Sequence, residues 1–234
     1  MSRVQYIRNA EKKYHDACYE NYRLFQKGSW LYKPVKTVMD ILPIFDGKEG
    51  LKVLDLGAGV GRNSIPVAEK IKDAGGKVVC VDLLDSAIEK LMEYSKEFNV
   101  ENAIQPIKSD IGRYQIEKSE YDYIIAVSSL EHVASEDEFE SVIHEMANGT
   151  KVGGVNCIIV NSEVKEFDVE RNKELEALME VNIPTDLMKN KLDAAYSGWE
   201  KVKELVKPLE FQIERDGRPV LLKTNAITSV MRKV

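Results

Sequence analysis

The run Val53-Leu54-Asp55-Leu56-Gly57-Ala58-Gly59-Val60-Gly61-Arg62-Asn63-Ser64 constrains this chain more than any other stretch. An apolar segment of strand length passes directly into three glycines at alternate positions and then into a helix start. Glycines without a Cβ leave the inner side of the turn open, so a ligand can lie against the backbone. The first turn of the following helix points unpaired N–H groups at it. Such a segment reads as a nucleotide cradle. The dinucleotide fingerprint spaces its glycines G-x-G-x-x-G, whereas here the third glycine is Gly61 and Arg62 stands where that pattern places glycine. A tight strand-to-helix turn with no ligand uses the same glycines, so the neighbouring elements must decide.

With 234 residues and 44% hydrophobic content the chain suits one α/β domain, residues 1–234. Net charge is −6 and 31% of residues are charged, in both signs, so no positive field awaits nucleic-acid phosphates or anionic lipid. Neither nucleic acid nor membrane is expected as a partner, and the oligomeric state is left open. Cys18, Cys80 and Cys157 are scattered without C-x-x-C spacing and read as reduced core thiols. The first residues contain no apolar signal region, and no apolar run approaches membrane-spanning length, so a cytoplasmic location is expected.

Short apolar runs then alternate with amphipathic stretches, the signature of a parallel sheet covered by helices. Strands are expected at 52–56, 77–82, 103–108, 121–128 and 154–161. Helices are expected at 62–73, closed by Gly75-Gly76, at 85–98 with Asp85 as its cap, and at 136–148, closed by Gly149. The most apolar strand, Tyr-Asp-Tyr-Ile-Ile-Ala-Val-Ser at 121–128, belongs near the sheet centre. Asp216-Gly217-Arg218-Pro219 predicts a terminal hairpin, although 199–206 carries both strand-like and helix-like spacing.

The expected fold is therefore α/β: a Rossmann-like, seven-stranded, mostly parallel sheet with helices on both faces and an antiparallel C-terminal hairpin. Residues 51–161 form its cofactor-binding core and residues 199–234 the sheet edge. Residues 1–45 read as a helical lid rich in aromatics, among them Tyr22, Trp30 and Tyr32. Residues 162–198 read as a charged, mostly helical insertion interrupted by Pro184, placed as a cap on the substrate side.

The glycine turn, the aspartate ending the second strand, Ser109-Asp110-Ile111 after the third and Val127-Ser128-Ser129 after the fourth occur in one order. Together they resemble the class I S-adenosylmethionine-dependent methyltransferases. The resemblance implies that Asp55, Gly57, Ala58, Gly59 and Gly61, with Asn63 beside them, hold the methionyl part of S-adenosyl-L-methionine. It implies that Asp82, followed by Leu83, grips the ribose hydroxyls, that Asp110 and Ile111 meet the adenine, and that Val127, Ser128 and Ser129 line the sulfonium. A carboxylate suits the ribose role because it accepts two hydroxyl hydrogen bonds at once, more strongly than a neutral acceptor. Gly61-Arg62-Asn63-Ser64 and the ending from Arg218-Pro219-Val220 to Met231-Arg232-Lys233 are similar to the tellurite-resistance (TehB-like) branch, although that branch usually has cysteine at position 58 and a shorter segment before its final strands.

Leu130-Glu131-His132-Val133 is similar to a segment with which some ubiquinone-pathway O-methyltransferases bind a divalent metal through Glu-x-x-Glu-His. Here Ser128 replaces the first glutamate and removes an oxygen ligand, so no metal is expected. His132 remains the candidate catalytic group, as a general base or as a wall of the acceptor pocket. Methyl transfer from a sulfonium is a direct displacement and needs no nucleophilic side chain. The function expected is transfer of a methyl group to a small-molecule acceptor, possibly a metalloid oxyanion. Two alternatives stand beside it: a non-catalytic S-adenosylmethionine-binding module or partner-activating subunit, and an NAD-dependent reductase, for which no Tyr-x-x-x-Lys follows the fourth strand.

Overall fold

In the computed structural model, residues 1–215 and 217–234 are described, and Asp216 of the expected hairpin turn lies outside the described residues. The chain opens with helices α1 (Arg3–Asn21) and α2 (Lys36–Ile41). It continues through β1 (Lys52–Leu56), α3 (Ser64–Ile71), β2 (Lys77–Asp82), α4 (Asp85–Glu97), β3 (Ile104–Lys108), β4 (Tyr121–Val127) and α5 (Glu136–Gly149). The remaining elements are β5 (Thr150–Asp168), β6 (Lys173–Leu175), α6 (Thr185–Ala195), β7 (Glu200–Arg215) and β8 (Arg218–Arg232).

Seven strands lie in the order β3-β2-β1-β4-β5-β8-β7, with β6 added to β5 off this path. The pairs from β3 to β5 are parallel, and those of β5 with β6, β5 with β8 and β7 with β8 are antiparallel. The sheet is thus the mostly parallel one expected, with β4 at its centre, where every residue is buried. Alternate residues of β4 feed two separate cores. Tyr123, Ile125 and Val127 pack with residues of α2, α3 and α4, whereas Ile124 and Ala126 pack against α5 and α6. The three cysteines are buried and free. No described helix is long and apolar enough to cross a membrane.

Two expectations need correction. Residues 162–198 are mostly not helical: β5 continues to Asp168, β6 follows, and only Thr185–Ala195 is helix. The continuation past Ser162 passes a register shift, with Glu163 at φ 50, and then alternates buried Val164, Glu166 and Asp168 with solvent-facing neighbours. Charge inside is tolerated because Arg215 pairs with Glu166 at 3.0 Å and the Arg171 N–H donates to Asp168 at 2.9 Å. Asp85 is likewise not the cap of α4. Leu84 holds the cap position without a side-chain bond, its N–H donates to Asp82 Oδ1 at 2.9 Å, and Asp85 pairs with Lys108 instead. The ambiguous 199–206 segment is strand, as part of β7.

Candidate functional site

The carboxyl ends of β1, β2 and β4 meet at the glycine turn, the crevice where open parallel sheets take ligands. Gly57, Gly59 and Gly61 all have positive φ, at 77°, 54° and 93°. Packing explains two of them. A Cβ on Gly57 would stand 2.3 Å from Ser129 Cβ, and one on Gly61 2.6 Å from Leu91 Cδ1. The turn is pinned from below by Gly57 and Ala58 N–H groups donating to Val81 O at 2.8 and 3.0 Å. Ser129 Oγ donates to Leu56 O at 2.7 Å, and Asn63 Oδ1 accepts from Val35 N at 2.9 Å. Ser129 and Asn63 therefore shape the turn and are themselves buried.

Three carboxylates ring this turn. Asp55, 1% exposed, accepts a 2.5 Å hydrogen bond from Ser64 Oγ, and burial pushes its carboxyl up to about 6. Asp82 accepts from the N–H groups of Gly59 (2.7 Å) and Leu84 (2.9 Å), one at each oxygen. Burial raises its pKa, opposed by those same N–H groups. Asp110 accepts from Gly112 N at 3.0 Å and pairs with Arg8 Nη1 at 2.7 Å. Ile111 and Val127 are buried beside them, whereas Leu83 and Ser128 are exposed. Ser128 closes β4 at φ 50, a strained conformation for a residue with a Cβ. These side chains fit a ligand with a vicinal diol. Asp82 is held in orientation by two backbone donors, and a carboxylate has more lone-pair sites than those two bonds consume.

Helix α1 lies across this edge. Arg8, Glu11, His15 and Tyr19 share one helical face. Arg8 reaches Asp110, Glu11 pairs with Arg215 at 3.0 Å, and Asp16 accepts from Ser86 Oγ at 2.5 Å. Tyr19 OH lies 3.2 Å from where a Gly59 Cβ would be. His15 stands edge-on to Trp30 with centroids 5.8 Å apart, and burial lowers its pKa. Of the three aromatics expected in the lid, Trp30 joins this cluster and stacks beneath Arg62 at 5.0 Å. Tyr22 instead packs by Gly28, and Tyr32 carries the Lys33 ammonium over its ring at 4.9 Å. Tyr19 belongs to the aromatic-rich segment legible in the sequence; Arg8 and His15 were not singled out there, although Arg8, Glu11, His15 and Tyr19 follow one another at i+3, i+4 and i+4.

His132 sits on the turn after β4, with Nδ1 3.0 Å from Glu180 Oε2 in the segment between β6 and α6. Burial opposes its charge, but the Glu180 hydrogen bond and the fields of Glu131, Glu11 and Glu180 outweigh it and lift the imidazole to about 9. At neutral pH this ring is an imidazolium and holds its proton, the opposite of a ready base. Glu131, fully buried, accepts from Asn161 N (3.1 Å) and Nδ2 (2.6 Å) at Oε1, and burial raises its pKa. Val181 N donates to Glu131 O at 3.0 Å and ties the two glutamate-bearing segments together. Among the described residues no group of three or more His, Cys, Asp or Glu side chains is arranged to hold a metal ion.

Residues 53–154 match the family model described as a methyltransferase domain. The ubiquinone biosynthesis O-methyltransferase of Rickettsia akari is 34% identical over 104 residues, covering 44% of this chain and 39% of that protein. A sterol 24-C-methyltransferase of Aspergillus fumigatus is 30% identical over 108 residues, covering 46% of this chain and 27% of its own length. The chain thus spans less than half the length of the curated relatives it matches. The crystal structure of TehB from Haemophilus influenzae superposes over 94% of this chain and 67% of that one, with a TM-score of 0.64 and 23% identity, a likeness of fold. Over residues 53–154 the chain is thus similar to methyltransferase domains, and its sheet order is the mostly parallel one expected from its sequence.

Proposed function

We propose that the protein transfers the methyl group of S-adenosylmethionine to a small-molecule acceptor, with α1 serving as a lid over the cofactor crevice. The observation that carries this reading is Asp82, held at both oxygens by backbone donors of the glycine turn and of the start of α4. Asp82 would take the ribose hydroxyls, the turn at Gly57, Ala58, Gly59 and Gly61 the methionyl part, Asp110 and Ile111 the adenine, and Val127 and Ser128 the sulfonium side. The bound cofactor supplies an electrophilic methyl group, and the protein's contribution is alignment and exclusion of water. Arg8, His15, Tyr19 and Trp30 close the crevice from above. His132, charged and held by Glu180, positions the acceptor side and does not act as the base in this arrangement.

The charge of the walls speaks against a metalloid oxyanion as acceptor. Glu11, Glu131, Glu166, Glu180 and Asp110 outnumber Arg8, His132 and Arg215 around the lid. An anion entering here meets like charge, which costs binding. Calorimetry with S-adenosylmethionine and S-adenosylhomocysteine, followed by methyl release on a panel of small acceptors, tests the function. Micromolar binding, lost at least tenfold in Asp82→Ala while a cooperative thermal melt shows that the variant is still folded, is the expected result. Binding of NAD in place of either cofactor overturns the reading, and cofactor binding without turnover on any acceptor points to a non-catalytic module.

A further inference from the structure

Resting on that reading of the crevice as a methyl-transfer site, we propose that its acceptor end is an ammonium site, in which Glu131 and Glu180 hold a protonated amine carried by the acceptor. Each carboxylate has one oxygen hydrogen-bonded and one buried with no hydrogen-bond donor. Glu131 Oε1 takes both Asn161 donors, at 3.1 and 2.6 Å, and leaves Oε2 unpaired. Glu180 Oε2 takes His132 Nδ1 at 3.0 Å and leaves Oε1 unpaired. Glu131 is 0% exposed and the Glu180 side chain 1%. The two lie on adjoining segments joined by the bond from Val181 N to Glu131 O.

Arg8 faces Glu180 without satisfying it. Its Nη1 is committed to Asp110 at 2.7 Å, and its Nε stands 3.8 Å from Glu180 Oε1, beyond hydrogen-bond range, so that Nε is itself unpaired. A buried carboxylate oxygen without a donor is costly, and a ligand that brings N–H groups and positive charge recovers that cost. A hydroxyl offers one donor and no charge. An ammonium offers three donors in divergent directions with a full charge, which matches two acceptors on separate segments. A carboxylate or phosphate offers no donor and meets Glu131 and Glu180 as like charges. The ammonium is assigned here as the acceptor's anchor.

The test uses the full chain saturated with S-adenosylhomocysteine, titrated with two matched sets: ethylamine, ethanol and acetate, and phenethylamine, phenethyl alcohol and phenylacetate. The amine of at least one set is expected to bind at least tenfold more tightly than its alcohol and carboxylate. Glu131→Gln and Glu180→Gln, which keep the shape and the Asn161 and His132 contacts, should each weaken that amine at least fivefold while changing the S-adenosylhomocysteine dissociation constant less than twofold. Thermal melts check that both variants are folded, and either folded variant suffices. Preference for an alcohol or a carboxylate, no binding of either amine, or amine affinity untouched by both substitutions overturns the ammonium site while the methyl-transfer reading stands. Failure of S-adenosylhomocysteine to bind overturns that reading, and this site with it.

Discussion

Asp55 and His132 carry opposite burdens at the same edge. Asp55 is buried with a single side-chain donor, Ser64, and its carboxyl is pushed up to about 6 by burial. A folded-state pKa raised above the unfolded one means stability that is full below pH about 4 and declines as pH rises through about 6. Asp55→Asn keeps an acceptor for Ser64 and removes the charge. The thermal midpoint at pH 7.5 should therefore rise, by the equivalent of about 1–3 kcal/mol, a shift of roughly two pKa units. A lower midpoint would mean that the ionised form has a partner the fold depends on. His132 is raised as well, to about 9, but here by a partner, Glu180, with Glu131 and Glu11 adding to it against the effect of burial. Its contribution is full below pH about 6.5 and is lost as pH climbs through about 9. Histidine ring NMR should show this late titration, and Glu180→Gln should bring it back toward the ordinary value and flatten the stability profile between those limits. A wild-type midpoint near 6.5 would remove the ion pair from the account.

At the scale of elements, the strand and helix rhythm from β1 to β5 was legible because each strand is buried on both faces and so reads as a continuous apolar run, as in Tyr121–Val127. Glu163-Val164-Lys165-Glu166-Phe167-Asp168, by its charges alone, belongs to a charged, mostly helical insertion. The chain instead alternates inside and outside there, with the inward carboxylates met by Arg215 and by loop N–H groups. Those partners are distant in sequence, so no local pattern could reveal them. The same limit hid Glu180, whose place beside His132 depends on how the segment after β6 folds back. Helix α1 was legible as helix, and its face toward the crevice as a spacing, but its pairing with Asp110 was not. If α1 is the lid proposed above, the Arg8 pair with Asp110, partly buried, is one of its latches. Losing about 1 kcal/mol from the closed state would let it open roughly fivefold more often. Arg8→Ala should accordingly shorten the residence of S-adenosylhomocysteine by about that factor in a stopped-flow displacement experiment. An unchanged dissociation rate would mean that release does not pass through α1.

Across the whole molecule, one side of the sheet holds the proposed cofactor crevice and the other carries an antiparallel extension of β5, β7 and β8, which meets the lid helix at Arg215. The two halves should respond differently to the cofactor. Helix α1 buries only Ile7, Cys18 and Tyr19, and is otherwise fastened by ion pairs and hydrogen bonds to Asp110, Arg215 and Ser86. With so little apolar burial it belongs among the segments that open at low free energy. The central strands β1 and β4, buried on both faces, belong among the last to open. A ligand bound beneath α1 stabilises every opening that exposes the site, by about 2.7 kcal/mol at a hundredfold excess over its dissociation constant. Openings that leave the site intact gain nothing. Hydrogen exchange with and without S-adenosylhomocysteine should therefore show slowing in α1, in the glycine turn and at the start of α4. Amides in the hairpin around Glu200 and Arg232, at the end opposite the Arg215 that pairs with Glu11 of α1, should exchange at the same rate in both samples. Equal slowing of that hairpin and of α1 would make the chain a single cooperative unit, and α1 no more a lid than any other helix.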